Sequence, residues 1–531
     1  MNPQPSKSIN GTVFQNRRRF LAEVGRGMLV ATVGSSAATD LGLSKAFAVE
    51  PETNALEFGP LEPLVQYMQE TPVERLLPGL GEKLRAGCDL KRLVAAAALA
   101  NARTFGGEDY VGFHTMMALA PALHMAAELP AAQQPLPVLK VLYRNTRRIQ
   151  EKGGRKAEVL QRVTPAALGL SENPEQRLLA AIHKKDVAEA DRAFAAAAQG
   201  SPEDALNRLL FAVEEHTEVH RVVLPYRAWD LMDLIGKEQA HTLLRQSVHY
   251  CINAEAWPKR AQEGEPGTIL ARLLDQHKLL DRQPGTRTAD DPWVQELSET
   301  IFKGSPEQAA QAAAQALAEG FAPAEIGEAI SLAANQLILR DRGRPPGEES
   351  PGKPPGSVHG DSIGVHACDS ACAWRNLARV SNVRNTYACL VLGAYQVALD
   401  RVARGGDFLA WQPLPTVYHV NQISSTDPEQ LLREADEAIR QNLQAHAAAT
   451  ISRYGSLGHP ARPVFDLLLR YAVSEDGSLH AEKYYRTVTE EFGSTRQAFR
   501  WRQLVALARV TASEFGRPAP GMAEAREILK V

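Results

Sequence analysis

The sequence is poor in aromatic residues, which account for 6% of its 531 residues. Pleated sheets favour β-branched and aromatic side chains, so this shortage argues against a sheet-rich fold. Basic residues are not in excess either, because the formal net charge is −3, and this balance excludes a typical nucleic-acid-binding protein. Beyond residue 48, no uncharged apolar run reaches the ~20 residues that a membrane-spanning helix needs.

Cysteine is scarce too, with five residues in the whole chain. An odd number at irregular spacing does not fit the disulfide framework of a small secreted domain. Cys368 and Cys372 lie four residues apart on a predicted helix. They are interpreted as small core residues, or as thiolate ligands if a metal is present. No glycine-rich phosphate loop or Gly-x-Ser-x-Gly turn follows a predicted strand, so nucleotide-dependent and serine-hydrolase activities have no support.

Apolar residues recur every three to four positions through most of the chain after Val49, a pattern typical of helices. Three helix starts carry a capping residue followed by Pro and Glu, at Ser201-Pro202-Glu203, Ser305-Pro306-Glu307 and Asp427-Pro428-Glu429. The sequence therefore predicts an all-α fold, with paired helices in a large helical array or bundle and no substantial sheet.

A segment rich in Pro and Gly divides the predicted helices into two regions. Arg342–Gly360 contains five Pro and five Gly in nineteen residues, a composition that breaks helices. We predict an N-terminal helical region at 49–340, a loop at 341–363 and a C-terminal helical region at 364–531. A loop of this length is either a lid over a site or a dispensable insertion, and the sequence leaves both open.

The first 48 residues resemble a twin-arginine signal peptide. Asn16-Arg17-Arg18-Arg19-Phe20-Leu21 contains adjacent arginines followed by Phe and Leu, and Ala46-Phe47-Ala48 has the pattern of a cleavage site. We therefore expect the twin-arginine export machinery as a partner, cleavage after Ala48, and a periplasmic or extracellular location. Such signals serve proteins that are exported already folded, often with a cofactor inserted, and a chain folded in this way keeps its buried thiols reduced.

Two histidines four residues apart are the first candidate metal ligands. His216 and His220 fall on one apolar face of a helix predicted over Glu203–Leu224. Neutral imidazoles one turn apart have a chelating spacing, and imidazole suits Fe, Cu or Zn. Thr217 follows the first histidine, so the motif lacks the glutamate base of a zinc peptidase. The alternative is a pair of core histidines that bond to backbone or Glu.

Three short sequences each place a histidine near the start or in the middle of a predicted helix: Gly112-Phe113-His114, Glu218-Val219-His220 and Gly364-Val365-His366. If they come from an internal repeat, duplicated helical units bring these side chains to one shared centre. His114 and His366 are then the further metal ligands.

Two charged residues near these histidines are candidate catalytic groups. Asp369 is predicted on the same helix face as His366, where it can orient an imidazole or act as a base. Arg227 lies two turns beyond His220, past a kink or restart expected at Pro225, and can bind an anion or pair with a nearby Asp.

Apolar helices with isolated histidines resemble those of the questin-oxidase-like group of helical proteins. The resemblance covers a small part of the chain and contains no specific motif, so no functional residue is taken from it.

Two functional hypotheses follow from the sequence. In the first, the protein is an exported metal-dependent enzyme, an oxidoreductase rather than a hydrolase, whose metal has an open position for oxygen or a small-molecule substrate. In the alternative, the protein is a non-enzymatic helical-repeat binding or scaffold protein and the inward histidines are structural. Neither hypothesis includes a nucleic-acid partner or a stable membrane span after cleavage.

Overall fold

Helices provide every regular element in the part of the chain that the structure describes. The computed structural model describes residues 54–167, 173–260, 263–350 and 352–531. These residues form 23 α-helices and four short 3₁₀ turns, and their β-pairing is limited to isolated bridges. The predicted all-α fold is therefore confirmed. The signal-like segment at 1–48, with its arginines and Ala48, lies outside the described residues.

The helices are numbered here in chain order. They are α1 Glu62–Glu70, α2 Val73–Arg85, α3 Leu90–Phe105, α4 Tyr110–Ala127, α5 Pro135–Glu151, α6 Pro174–His183, α7 Val187–Ala197, α8 Pro202–Val213, α9 Val219–Ile235, α10 Ala240–Ala254, α11 Pro266–Gln276, α12 Asp291–Lys303, α13 Pro306–Ala318, α14 Pro323–Arg340, α15 Ile363–Val380, α16 Val383–Arg404, α17 Val417–Asn421, α18 Pro428–Arg440, α19 Gln444–Ser456, α20 Arg462–Ser474, α21 His480–Ser494, α22 Trp501–Glu514 and α23 Met522–Leu529. None of these helices is both long and apolar enough to cross a membrane.

The three predicted helix starts are confirmed. α8, α13 and α18 each begin at the proline that follows the capping residue. Ser201 and Ser305 form reciprocal capping boxes, and the Asp427 side chain accepts a hydrogen bond from the third backbone N–H of its helix. These side chains satisfy N–H groups that have no partner within the helix.

Four helices form the centre of the unit that spans Leu56–Val531. α4 packs against α9, α9 against α15, α15 against α21, and α21 against α4. Outer helices cover this ring, with α3 and α5 on α4, α10 on α9, α14 and α16 on α15, and α22 on α21. Much of the surface of each central helix is buried, because each one packs against two other central helices and against at least one outer helix.

The central helices run parallel to one another. The histidines in the first two turns of neighbouring central helices contact each other. Residues roughly two to three turns after these histidines also contact each other between central helices, which requires the helices to point in the same direction. His124 of α4 contacts Asp230 of α9, Arg227 of α9 contacts Thr487 of α21, and Arg375 of α15 contacts Glu491 of α21. The four N-terminal ends therefore lie together, where the helix dipoles place partial positive charge.

The helix predicted over Glu203–Leu224 is interrupted, and this part of the prediction is wrong. α8 ends at Val213 and α9 begins at Val219, because the Glu218 side chain caps α9 by accepting from the backbone N–H groups of His220 and Arg221. A glutamate that bonds to the backbone in this way competes with a continuous helix.

The expected restart of the helix at Pro225 is also wrong. α9 runs from Val219 to Ile235 with Pro225 inside it. An interior proline costs about 3 kcal/mol, and we attribute its tolerance here to the packing of α9 between two other central helices.

The Pro- and Gly-rich segment at 342–360 contains no helix in its described residues. Asp361 pairs with Lys353 and lies 3.3 Å from Arg344. Closer to α15, residues 357–360 are buried, and the Gly360 N–H donates to Glu514 at 2.8 Å. This end of the loop is fixed to the helices by buried contacts.

Candidate functional site

Four buried or half-buried histidines meet at the N-terminal end of the central bundle. His114, His220, His366 and His480 come from α4, α9, α15 and α21, one from each helix. Their ring centroids are separated by 4.7 Å (114 to 220), 5.2 Å (114 to 480), 5.7 Å (220 to 366) and 5.2 Å (366 to 480). The ring of helices thus produces a ring of imidazoles, which we call the four-histidine cluster.

The first pair in the cluster is His114 and His220, whose Nε2 atoms are 3.2 Å apart. His114 Nδ1 lies 2.7 Å from the Tyr110 carbonyl oxygen, which can only accept, so this nitrogen must donate. His220 Nδ1 lies 2.8 Å from the Glu218 carboxylate and donates to it. In neutral imidazoles, both Nε2 atoms then carry lone pairs that face each other with no hydrogen between them.

The second pair is His366 and His480, whose Nε2 atoms are 3.1 Å apart. His480 Nδ1 is buried and has no hydrogen-bond partner among the described residues. A buried polar atom without a partner carries an energetic cost, and Nε2, which faces His366, is the one ring nitrogen of His480 with a polar contact among the described residues.

The cluster disfavours protonation. Burial lowers the pKa of His366 to about 3, with the charges of His220 and Lys483 acting in the same direction. Burial and the Lys483 charge also hold the pKa values of His114 and His480 well below the usual range of histidine. These three imidazoles are therefore neutral near pH 7, the form in which histidine binds metal ions.

Glu218 accepts a hydrogen bond from His220 Nδ1, the ring nitrogen that faces away from the cluster. Burial would raise the pKa of this carboxyl, but the charge and hydrogen bond of His220, the Tyr250 hydroxyl and the Arg221 N–H lower it to about 2. The Tyr250 hydroxyl donates to the carboxylate at 2.6 Å. Glu218 is thus an ionised acceptor that fixes both the ring orientation and the tautomer of His220.

Aromatic side chains surround the cluster on the α4 side. The rings of Tyr110 and Phe113 lie 4.4 and 5.0 Å from that of His114. Tyr110 is 60% exposed, whereas His114 beside it is 2% exposed. The cluster therefore lies just beneath the surface.

A buried polar network continues from the cluster into the bundle. Lys483 lies one turn beyond His480, and burial lowers the pKa of its amine to about 8 although Asp369 and Glu482 oppose the shift. Asp369 accepts a hydrogen bond from Thr487 at 2.8 Å. Burial raises the pKa of the Asp369 carboxyl, while the charges of Lys483 and Arg227 act against that rise.

Arg227, predicted from the sequence as an anion-binding residue, joins this network from α9. Its guanidinium donates to Thr487 at 3.1 Å and lies 3.2 Å from Asp230 and 3.5 Å from Glu490. Arg227 and Asp369 are therefore both hydrogen-bonded to the Thr487 hydroxyl, which accepts from Arg227 and donates to Asp369. Two carboxylates already compensate the charge of Arg227.

His216 is the one predicted metal ligand that the structure does not bring into the cluster. The break before α9 sends it to a separate surface pocket, where its ring lies 3.4 Å from Glu263 and 3.8 Å from Glu255. The expected His216–His220 chelate is therefore wrong, because the two residues are not on one helix.

The two cysteines predicted near the site do not join the histidines. Cys372 donates to Glu490 at 3.0 Å, and Cys368 is buried close to Tyr484. Burial and nearby carboxylates raise the pKa of both thiols well above their usual range. They remain protonated, as small core residues do.

His480 is a fourth member of the cluster and was not among the histidines predicted from the sequence. Its local sequence, Ser478-Leu479-His480, has the same apolar-His order at a helix start as the three predicted histidines. That pattern, applied to the whole chain, was the signal that could have found it. A left-handed turn with φ of 49° at Ser478 and 68° at Leu479 directs the chain into α21.

The spacing within each pair suits a shared ion. Two nitrogens that each lie about 2.05 Å from one tetrahedral metal are about 3.3 Å apart, and the observed Nε2 distances are 3.2 and 3.1 Å. In the described part of the chain, no three His, Cys, Asp or Glu side chains are already arranged as a complete metal-binding group. The cluster is therefore two close pairs that face each other.

Gly360 places the loop before α15 directly against His480 of the cluster. A Cβ at this position would overlap the Cβ of His480 and lie 2.8 Å from a Glu514 oxygen. We expect Gly360→Ala to displace His480 and to lower the free energy of unfolding by about 1–3 kcal/mol, the usual cost of overpacking.

Thermal unfolding checks this expectation against Gly493→Ala on α21, the helix that carries His480. A Cβ at Gly493 meets nothing within 4 Å, so that variant should be as stable as the wild type or more stable. Equal melting temperatures for both variants would contradict the close contact between Gly360 and His480.

No protein-family model, curated protein or solved structure matches this chain.

Proposed function

We propose that the four-histidine cluster binds a transition-metal ion and that the protein is a metal-dependent enzyme, an oxidoreductase rather than a hydrolase. One observation carries the proposal. The Nδ1 atoms of His114 and His220 both donate, so two buried Nε2 lone pairs face each other at 3.2 Å. Such an arrangement is repulsive unless a proton or a cation lies between the nitrogens.

Either a metal ion or a proton on His220 would relieve this repulsion. A proton on His114 is disfavoured, because burial and the Lys483 charge keep the pKa of His114 well below its usual range, whereas an imidazolium at His220 would pair with Glu218, 2.8 Å from its Nδ1. A metal ion needs neutral imidazoles with free lone pairs, which is the state that the site provides. His114, His220, His366 and His480 would hold the ion, with the two pairs drawn together around it.

Residues outside the cluster have defined roles in this proposal. Glu218 fixes His220 through Nδ1, as carboxylates behind metal-binding histidines do. A bound Fe or Cu ion would supply redox chemistry, whereas Zn would supply Lewis acidity alone. Tyr110 borders the surface above the cluster, where a small-molecule substrate would enter.

We assign proton transfer to the buried polar network that contains Lys483 and Asp369. Lys483, with a pKa of about 8, can exchange a proton near neutral pH. Asp369 lies within electrostatic range of Lys483, and the Thr487 hydroxyl and the Arg227 charge hold it in place. We assign Asp369 to proton transfer and Arg227 to holding Asp369, rather than to binding a substrate anion.

Elemental analysis of the exported protein, purified without chelators, tests the metal site. We expect near-stoichiometric Fe, Cu or Zn in the wild type and loss of most of that metal in His220→Ala and His480→Ala. His216→Ala is the matched control, because this half-buried histidine lies outside the cluster and should leave the metal content unchanged.

The outcomes separate the hypotheses. The metal site is contradicted if both cluster variants keep their metal, or if no preparation contains metal. Either result would favour the alternative hypothesis, a non-enzymatic binding or scaffold protein. If metal is bound, ultraviolet–visible and electron paramagnetic resonance spectra during redox titration test the reaction class. A redox-active ion supports an oxidoreductase, whereas stoichiometric Zn would overturn that assignment and leave the metal site intact.

A further inference from the structure

A cavity of about 350 Å³ lies among α12, α14, α19 and α22, outside the four-histidine cluster and its helices. Its volume falls within the range of roughly 300–1,000 Å³ that is typical of small-molecule sites. One part of its wall is apolar and contains Leu339, Leu414, Trp501 and Val505. The other part is polar and contains two arginines with amide side chains beside them.

The two arginines are positioned by neutral groups. Arg340 donates through Nε to the Gln336 side chain at 3.1 Å and through Nη1 to the Trp411 carbonyl at 2.9 Å. Arg502 donates through Nη1 to the Gln295 side chain at 2.8 Å. Among the described residues neither guanidinium has a carboxylate within ion-pair distance, and Nη2 of both has no hydrogen-bond partner.

The charge balance of the cavity favours an anion. Glu299 is the one carboxylate in its wall, and it binds Lys303 at 2.7 Å and accepts a hydrogen bond from Gln295 at 2.9 Å. Because Lys303 already pairs with Glu299, the two guanidiniums leave the cavity wall with net positive charge. Burial also lowers the pKa of Arg502, and the Glu299 charge opposes that shift only in part.

We propose that this cavity binds a small organic monocarboxylate with an apolar body. The planar guanidinium edges of Arg340 and Arg502 match the two oxygens of a carboxylate. The wall that contains Trp501 and Leu339 would cover the apolar body of the ligand, a part that inorganic phosphate lacks. The site is independent of the metal proposal, because no lining residue belongs to the cluster.

Isothermal titration calorimetry of the full chain with 3-phenylpropionate tests the proposal, and 3-phenylpropionamide serves as the uncharged matched ligand. We expect the acid to bind at least about tenfold more tightly than the amide. Arg340→Gln and Arg502→Gln should each weaken acid binding by about tenfold or more and leave amide binding unchanged. Arg433→Gln is the control, because it removes the same charge from a side chain that is 70% exposed.

Several results would overturn the proposal. These are equal affinities for acid and amide, no heat at millimolar acid, or unchanged acid binding in both arginine variants. If a glutamine variant fails to fold, Arg340→Lys and Arg502→Lys keep the charge but lose the planar fork, and both should bind the acid more weakly than the wild type. Phosphate that binds as tightly as the acid would overturn the assignment of the ligand class.

Discussion

Lys140→Met is expected to lower the free energy of unfolding by about 3–5 kcal/mol, the usual cost of leaving a buried charge without its partner. The Lys140 amine lies 2.7 Å from the Glu482 carboxylate, and both side chains are almost completely buried. It also donates to the carbonyl oxygens of Ala472 and Glu475, at 2.8 and 2.5 Å. One ammonium thus joins α5 to α21 and to the end of α20.

Chemical denaturation measures this effect, and the double variant Lys140→Met/Glu482→Leu provides the control. Replacing both charges with apolar groups removes the uncompensated carboxylate, so the double variant should recover most of the lost stability. A single variant within 1 kcal/mol of the wild type would contradict the buried ion pair. Because Glu482 lies two residues after His480, we also expect Lys140→Met to reduce the metal content.

Acid should destabilise the protein through His241. Burial, with the nearby Arg245 charge, lowers the pKa of His241 to about 4, whereas an unfolded histidine has a pKa near 6.5. Between these values the unfolded state binds a proton that the folded state does not, so stability falls as the pH drops from 6.5 towards 4. At 1.36 kcal/mol per pH unit, this one residue costs about 3 kcal/mol.

His241→Phe isolates this contribution from those of other groups. The imidazole stacks on Phe194 with ring centroids 5.4 Å apart, and its Nε2 has no hydrogen-bond partner among the described residues. A phenyl ring should therefore fit the site and remove the titration. The stability lost between pH 7 and pH 4.5 should be about 2–3 kcal/mol smaller in the variant than in the wild type. Equal losses would show that His241 titrates normally.

The four-histidine cluster is an energetic liability unless it binds something. Its imidazoles lose hydration on burial, and one pair brings two lone pairs within 3.2 Å. Proteins retain such arrangements mainly where function requires them. If a metal ion binds the folded state, its binding energy also stabilises the fold, so removing metal should lower the melting temperature more in the wild type than in His480→Ala.

Local sequence identified three members of the cluster and assigned one residue wrongly. His114, His220 and His366 follow apolar residues at helix starts, and the structure brings all three together. His216 was chosen for its four-residue spacing from His220, a criterion that holds only within one continuous helix. The capping of α9 by Glu218 broke that helix, and helical periodicity carries no information about such an interruption.

The all-α class and several helix starts could be predicted from the amino-acid sequence alone. These features depend on residues within about one turn of each other, through capping, proline placement and the three-to-four periodicity. Tertiary structure alone decided that α4, α9, α15 and α21 run parallel, that His480 completes the cluster, and that Arg227 and Asp369 share Thr487. These contacts join residues more than a hundred positions apart, and their partners are set by how whole helices pack, which no local pattern in the chain specifies.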